Sequence, residues 1–243
     1  FNLWRSRLTS NVTAVTTSNS VIHVDPDNST SYGGSGTTFT DLSGNSNDGT
    51  ISGATFVSSV TGSAFDFDGS NDEIEYADHS TFEVTAVTLS TWIYYDSGGT
   101  YDQHATIFGR EGGASSPYKL RIYNSGATAQ IGLQVYDTTY RQGPKITPNT
   151  TFDHNKWVYI SCTYEYDSSA SQKIYVNDSL AGSNTTGGGN IDTSSSYGFG
   201  IGADISNGKQ WGGHFAIGKI YNRALSLSEI KKNFDTQRDR FGV

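Results

Sequence analysis

The C-terminal part of the chain reads Lys219-Ile-Tyr-Asn-Arg-Ala-Leu-Ser-Leu-Ser-Glu-Ile230, a strand-like run that passes directly into a helix start. Ser226 and Glu229 have the spacing of a capping box, in which the serine hydroxyl accepts an early backbone N–H and the glutamate reaches back to the cap. We therefore expect one short helix from about Leu227 to Asp235, placed at one end of the fold.

Outside that stretch, short apolar runs alternate with turn residues roughly every 10 to 15 positions, a spacing typical of antiparallel sandwiches. Between residues 87 and 94, Val, Leu and Ile alternate with Thr, Ser, Trp and Tyr, and a period of two puts each set on its own face of a strand. Comparable runs occur at 119–123, 130–135, 156–165, 172–176, 197–203 and 214–221. The pattern predicts an all-β fold of two antiparallel sheets.

The chain has 243 residues, a net charge of -8 and 28 glycines, and only 16% of its residues are charged. A chain of this length can bury one large core. The negative charge repels nucleic acid and anionic membrane surfaces, and no apolar run approaches the ~20 residues that span a bilayer. We therefore expect one domain that neither binds nucleic acid nor inserts into a membrane.

Residues 1–20 are rich in Ser, Thr and Asn and show no sustained period, so we expect an N-terminal arm or linker, followed by a domain over residues 21–243. The single cysteine, Cys162, lies in the strand-like run at 156–165. A lone thiol in such a run behaves as a small apolar side chain. We expect it to be a buried structural residue and not a nucleophile.

Two loops concentrate carboxylates and amides. The first, Asp41-Leu-Ser-Gly-Asn-Ser-Asn-Asp-Gly-Thr50, lacks the spacing of a helix-loop-helix calcium loop and predicts a structural turn. The second, Phe65-Asp-Phe-Asp-Gly-Ser-Asn-Asp72, brings Asp68, Asn71 and Asp72 into one loop, and oxygen ligands of this kind suit calcium. The alternative is that the same side chains cap a tight turn through Asx hydrogen bonds.

Sugar recognition needs exposed aromatic faces beside amides and carboxylates, because a sugar ring presents a C–H face and a rim of hydroxyls. The candidate residues occur in loop-like segments with polar neighbours: Trp211, Tyr95, Tyr101, His104 and Tyr197. The alternative is that each of these rings packs within a strand or at a subunit contact.

In their order and separation, the stretches at 41–50, 65–72 and 219–230 resemble the laminin-G-like, concanavalin-A-type jelly roll, from about Val24 to the C-terminus. The opening stretch, Asp25-Pro-Asp-Asn-Ser-Thr-Ser-Tyr-Gly-Gly-Ser-Gly-Thr-Thr-Phe-Thr-Asp-Leu-Ser-Gly-Asn45, is similar to the variety found in structural proteins of tailed bacteriophages. The resemblance implies a two-sheet antiparallel jelly-roll sandwich with a short C-terminal helix.

Members of the resembled family often hold calcium between a sheet and its loops, with an aspartate from the strand before the Tyr-Asn-Arg-Ala-Leu-Ser motif. In this chain Ala216 and Ile217 stand where acidic residues are frequent in the family. Calcium at Asp68, Asn71 and Asp72 would therefore lack that ligand, which keeps the Asx-turn alternative open.

From the resemblance we expect a non-enzymatic structural module on a bacteriophage particle: a head decoration, fibre or tail-associated subunit at the virion surface. Its partners would be copies of itself, other virion proteins and host glycans. The alternative is a secreted or cell-surface bacterial carbohydrate-binding module that depends on calcium. A glycoside hydrolase is the weakest interpretation, because the Glu-x-Asp-x-x-Glu signature of β-glucanases with this sandwich loses its third carboxylate in Glu165-Tyr-Asp-Ser-Ser-Ala170.

Overall fold

The computed structural model describes residues 19–58, 62–111, 115–123, 129–147, 150–166, 170–185 and 188–243. All but the last two residues of the predicted N-terminal arm lie outside these ranges, so the arm stays a prediction. Within the described ranges, no helix is long and apolar enough to cross a membrane.

The strands, in chain order, are β1 (Ser20–Val24), β2 (Thr38–Phe39), β3 (Gly49–Ser52), β4 (Thr55–Val57), β5 (Ala64–Asp68), β6 (Glu73–Tyr76), β7 (Val87–Tyr94), β8 (Thr106–Arg110) and β9 (Tyr118–Ile122). They continue as β10 (Ile131–Tyr136), β11 (Tyr140–Ile146), β12 (Trp157–Tyr166), β13 (Ala170–Val176), β14 (Ser179–Asn184), β15 (Phe199–Ile201), β16 (Ala203–Asp204), β17 (Lys209–Gln210) and β18 (Gly212–Tyr221). Helices α1 (Leu227–Asp235) and α2 (Arg238–Phe241) follow β18, and a 3-10 turn covers Ser80–Phe82.

The strands pair into two antiparallel sheets. The first sheet has the order β14-β13-β12-β7-β18-β5-β4, with β1 also paired to β18, and the second has the order β11-β10-β9-β8-β15-β6-β3-β2. A two-stranded ribbon, β16-β17, contacts β8 and β15 of the second sheet. The predicted two-sheet antiparallel sandwich is confirmed, and each predicted apolar run contains a strand.

The main core lies between the two sheets and is built mainly from alternate residues of their strands, with further side chains from the connecting loops. Leu89 and Ile93 of β7 belong to it from the first sheet, and Leu120 and Ile122 of β9 from the second. Cys162 of β12 is fully buried in this core, and burial raises the pKa of its thiol. The prediction of a buried structural cysteine is confirmed.

Both helices pack on the outer face of the first sheet and enclose a second apolar cluster. The Trp92 ring stacks on Phe241 with 4.2 Å between centroids and on Phe234 with 5.7 Å, and its indole N–H donates a 2.7 Å hydrogen bond to Gln237. Helix α1 has the predicted bounds and capping box. The expectation of a single C-terminal helix is corrected by α2, whose four residues are too few to show a helical period.

Arg240 of α2 fastens the helices to the opening stretch of the domain. One guanidinium nitrogen donates hydrogen bonds of 2.8 and 2.9 Å to the two carboxylate oxygens of Asp25, and another donates one of 3.1 Å to the carbonyl of Ser63. Charge-assisted hydrogen bonds of this kind are stronger than neutral ones. The contact joins two parts of the sequence that are more than 200 residues apart.

The outer face of the second sheet carries a buried charge cluster. The ammonium of Lys119 lies 3.0 Å from a Glu111 carboxylate oxygen and 2.9 Å from one of Asp204, and all three side chains are buried. Asp204 belongs to the β16-β17 ribbon, so the cluster holds the ribbon on the sheet. Burial raises the pKa of Glu111 to about 7. Burial acts in the same direction on Asp204, but attraction to Lys119 and hydrogen bonds overcome it and lower its pKa to about 2.

The loop at 41–50 is a hydrogen-bonded turn, as predicted. The Asp41 carboxylate accepts the backbone N–H groups of His23 and Asn47 at 2.9 and 3.2 Å. The Asn47 amide in turn donates to the carbonyl of Val21 at 3.0 Å. These bonds tie the loop to β1 and account for its amide and carboxylate side chains without an ion.

Candidate functional site

Four side chains from four adjacent strands occupy one line across the outer face of the first sheet. Trp157 of β12 is paired with Tyr94 of β7. Tyr94 is also paired with His214 of β18, which in turn is paired with Asp66 of β5. Because neighbouring strands are about 4.8 Å apart, the line is roughly 15 Å long. We name Trp157, Tyr94, His214 and Asp66 the cross-strand row.

The row has an aromatic end and a charged end. The Tyr94 ring centroid lies 5.7 Å from that of Trp157 and 5.3 Å from that of His214, with the rings steeply inclined to each other. All four side chains are partly exposed, and the Asp66 side chain keeps 46% of its surface in solvent. A ligand on this face would meet aromatic surface at one end and a carboxylate at the other.

A groove of about 660 Å³ opens beside the aromatic end, where Tyr94 and Trp157 line it. Two further rings, Phe152 and Phe241, also line it, together with polar side chains that include Asp153, Asn155, Lys156 and Asn177. Small-ligand sites typically measure ~300–1,000 Å³ and combine apolar walls with a few polar groups. The groove has both properties.

The C-terminal helices reach the row and end there. Two residues away on the same strands, the paired side chains of Trp92 and Tyr159 are buried in the cluster beneath the helices. Phe241, the last residue of α2, packs against the Trp157 ring with 4.9 Å between centroids. The helical layer therefore fixes the position of Trp157 and leaves part of its surface free.

The charged end of the row has unused hydrogen-bonding capacity. Nδ1 of His214 lies 3.3 Å from Oδ1 of Asp66, within ion-pair range, but makes no aligned hydrogen bond with a described residue. Within the same ranges, no N–H or O–H group donates a well-aligned hydrogen bond to the Asp66 carboxylate. Its oxygens can therefore accept hydrogen bonds from a ligand.

Three of the five predicted sugar-binding residues do lie together, but as a mostly buried cluster. The Tyr95 and Tyr101 rings are 5.1 Å apart, and the Tyr101 backbone forms a β-bridge with Trp211. Tyr95 and Trp211 are fully buried, so the expectation that they present exposed rings is wrong. Strand alternation turns Tyr95 inward beside Phe152, and Trp211 packs against Phe67.

The remaining two predicted residues lie apart from the row. His104 is exposed and contacts the Arg121 guanidinium through its ring nitrogen Nδ1. Tyr197 keeps 48% of its surface exposed, in the segment before β15 of the second sheet. Tyr197 stays a prediction as a sugar platform, since its ring is accessible.

The predicted calcium loop forms a turn in which the carboxylates bind backbone groups. Asp68 accepts the N–H groups of Ser70 and Asn71 at 2.7 and 3.3 Å, and Asp72 accepts the N–H of Asp68 at 2.9 Å. Within the described ranges, no three His, Cys, Asp or Glu side chains are grouped so that they could hold a metal ion. The Asx-turn alternative accounts for these bonds, and calcium stays a prediction.

A family model covers most of the sandwich. The model described as the concanavalin A-like lectin/glucanases superfamily, Laminin_G_3, matches residues 68–231, which is more than half of the chain. The chain belongs to this superfamily. The predicted laminin-G-like, concanavalin-A-type jelly roll is therefore confirmed. No curated protein matches the chain at a significant level.

Solved structures similar to this superfamily member include domain 4 of AbnA, an extracellular arabinanase from Geobacillus stearothermophilus, in complex with arabinotriose. It has a TM-score of 0.65 and 18% sequence identity, and the match covers 89% of this chain and 98% of that domain. The binding domain of Paraclostridial Mosquitocidal Protein 1 has a TM-score of 0.66 and 16% identity, and the match covers 90% of this chain and 52% of that one. The receptor binding domain of botulinum neurotoxin mosaic serotype C/D has a TM-score of 0.66 and 17% identity, and the match covers 91% of this chain and 51% of that one. The chain thus spans about half the length of these two binding domains.

Proposed function

We propose that this chain is a non-enzymatic carbohydrate-binding module and that the cross-strand row, with the groove beside it, is its binding surface. The observation that carries the proposal is the row itself, where partly exposed Tyr94 and Trp157 rings share a face with the accessible Asp66 carboxylate. Sugar rings place their C–H faces on aromatic side chains, and their hydroxyls hydrogen-bond to carboxylates and amides.

The similar structures support this class of function. The arabinanase domain was solved with arabinotriose, and the botulinum neurotoxin structure is a receptor binding domain. At 18% and 17% identity these likenesses establish the fold. The choice of Tyr94, Trp157 and Asp66 as the site therefore rests on the geometry of this chain.

Binding without cleavage fits the placement of the carboxylates. Asp66 is paired across the strands with His214, and the next carboxylate on its strand, Asp68, accepts the N–H groups of Ser70 and Asn71 in the turn. Glu111 and Asp204 do lie together, but they share Lys119 and are buried between the second sheet and the β16-β17 ribbon. Glycoside hydrolases need a pair of carboxyl groups flanking the bond that they cleave. A polysaccharide cannot reach the Glu111–Asp204 pair, because both side chains are buried.

A glycan array followed by calorimetry on the strongest binder tests the proposal. Trp157→Ala and Tyr94→Ala should each weaken binding about tenfold or more, a loss of ~1.4 kcal/mol. Tyr166→Ala is the matched control, because Tyr166 is an exposed tyrosine at the far end of β12. An array without binders, or an equal loss in Tyr166→Ala, contradicts the proposal.

Two further variants separate this site from its competitors. Trp157→Phe keeps an aromatic ring against Phe241 and should retain most of the affinity, which distinguishes lost stacking from lost packing. Tyr197→Ala removes the exposed ring that the sequence predicted. Loss of binding in Tyr197→Ala with full binding in Trp157→Ala would move the site to the segment before β15.

The location of the module is a second proposal, supported by the similarity of residues 25–45 to structural proteins of tailed bacteriophages. We propose that it acts at a virion surface, with copies of itself and other virion proteins as partners; a secreted or cell-surface bacterial module is the alternative. Specific subunit contacts generally bury more than ~1,000 Å², so light scattering should detect a trimer or larger assembly. A stable monomer favours the detached bacterial module.

Calcium binding by the loop that holds Asp68, Asn71 and Asp72 is a separate proposal, because side-chain oxygens not used by the turn could ligate an ion together with nearby carbonyls. Thermal unfolding with calcium and with a chelator tests it. The Tm of the wild-type protein should be higher with calcium than with the chelator, whereas the Tm of Asp72→Asn should be the same in both conditions. An identical wild-type Tm in both conditions excludes calcium from the fold.

A further inference from the structure

The charges around the cross-strand row point to the class of glycan that it accepts. Asp66 ends the row, and Asp68 follows it on the same strand. Asp72 contacts this strand end by accepting the N–H of Asp68 at 2.9 Å. Burial and then the negative charges of Asp68 and Asp66 raise the pKa of Asp72. When no cation is bound to the loop, the three carboxylates form one negative region at this end of the row.

Few positive groups offset that region. Within the described ranges, His214 is the basic side chain in ion-pair distance of Asp66, and no lysine or arginine pairs with any of the three carboxylates. At the opposite end, the Lys156 ammonium beside the groove lies 2.6 Å from Asp153 and is exposed. The whole chain adds a net charge of -8, so the long-range field has the same sign as the local one.

We propose that the row binds a neutral saccharide chain and rejects glycans that carry carboxylate or sulfate groups. The chain would rest its apolar face on Tyr94 and Trp157 and donate hydroxyl hydrogen bonds to Asp66. The inference rests on the carbohydrate-binding function proposed above and adds its selectivity.

Two physical effects favour the neutral ligand. A hydroxyl can satisfy the Asp66 carboxylate, and hydrogen bonds to a charged acceptor contribute more than neutral ones. An anionic sugar placed there would lose that bond and meet like charge, which is the usual way in which a surface excludes the wrong partner. The repulsive part should weaken with salt, because the carboxylates are partly exposed and screened.

The test uses glycan pairs that differ in an anionic group. Suitable pairs are methyl-esterified and free oligogalacturonides, desulfated and sulfated galactans, and lactose without and with a terminal sialic acid. For each pair with a binding member, the neutral glycan should bind about tenfold or more tightly at low ionic strength. The ratio should shrink in ~1 M salt, where the Debye length is about 3 Å.

Asp66→Asn tests the residue assigned to this selectivity, since it removes the charge and keeps the shape of the side chain. It should lower affinity for the neutral glycan about fivefold and bring the acidic partner closer to it. Glu75→Gln, an exposed carboxylate on β6 of the second sheet, is the control and should change neither value.

The outcomes separate the two proposals. Equal binding of neutral and acidic partners, or a preference that Asp66→Asn leaves unchanged, overturns the selectivity while binding at the row stands. An array without binders, or full binding by Trp157→Ala, removes the proposed site and the selectivity together.

Discussion

On the first sheet the outer face is covered by the aromatic side chains of two helices, whereas on the second it is covered by a ribbon held through buried charges. Trp92 lies against Phe234 and Phe241, and Lys119 lies between Glu111 and Asp204. An apolar cover can end part-way across a sheet, since half-exposed rings cost little. A buried charge must be enclosed and paired. The open row therefore occurs on the face that is covered by apolar packing.

The largest expected effect is on the apolar cover. Trp92→Ala removes a fully buried indole with two stacked partners and a hydrogen bond to Gln237. Such truncations cost about 3–5 kcal/mol, measured by urea unfolding. Tyr94→Ala, two residues along the same strand, removes a partly exposed ring and should cost about 1 kcal/mol. Equal losses in the two variants would contradict the division of this face into a covered part and an open part.

The charge cluster should respond to pH where the apolar cover does not. Lys119 is one cation shared by two buried carboxylates, and Asp204 stays ionised because its pKa is lowered to about 2. Burial raises the pKa of Glu111 in the folded state to about 7, above its ordinary value of 4.5. Between pH 4.5 and about pH 7 the folded state therefore binds more protons at Glu111 than the unfolded state does. The free energy of unfolding falls as pH rises through this window.

Glu111→Gln removes this titration and should therefore stabilise the protein at pH 8 by roughly 1–3 kcal/mol relative to wild type. At pH 4, where the wild-type carboxyl is protonated in both states, the difference should largely vanish. Urea unfolding at both pH values measures it, with the exposed Glu75→Gln as control. A Glu111→Gln variant that is less stable than wild type at pH 8 would show that the carboxylate is stabilising in its ionised form.

Local sequence pattern was sufficient for the elements that local interactions determine. The capping box at Ser226 and Glu229 predicted the start of α1, and alternation predicted β7 with its two faces. Alternation alone also separates Tyr94 from Tyr95, which face opposite sides of the first sheet. Of these two tyrosines, the candidate sugar-binding residue predicted from the sequence was Tyr95, the buried one.

The cross-strand row had no comparable local signal. Its four members come from β5, β7, β12 and β18, and their alignment depends on the register between strands that are far apart in sequence. Register is set by tertiary pairing, here including a bulge between Phe215 and Gly218. For the same reason the burial of Lys119 under the ribbon was not predicted, since alternation in the run at 119–123 placed it only on the face opposite to the apolar residues.

The attachment of the helices should show a smaller effect than the cover itself. Arg240→Ala removes the hydrogen bonds to Asp25 and Ser63 and leaves the partly buried Asp25 carboxylate without its cation. We expect a loss of about 1–3 kcal/mol. Lys232→Ala on α1 is the matched control, since Lys232 forms no ion pair within the described ranges, and it should change stability by less than about 0.5 kcal/mol. Similar losses in both variants would mean that apolar packing alone holds α2.

The start of α1 should be the least sensitive point of the apolar cover. The Ser226 hydroxyl accepts a hydrogen bond from the Glu229 N–H, and the Glu229 carboxylate accepts one of 2.9 Å from the Ser226 N–H. Ser226→Ala should therefore cost about 1 kcal/mol. Ser226→Asp supplies an equally good cap and should restore most of that loss. Urea unfolding of the two variants measures the difference. If Ser226→Ala cost as much as Trp92→Ala, the cover would depend on helix initiation, and the stacked rings would contribute far less than their burial indicates.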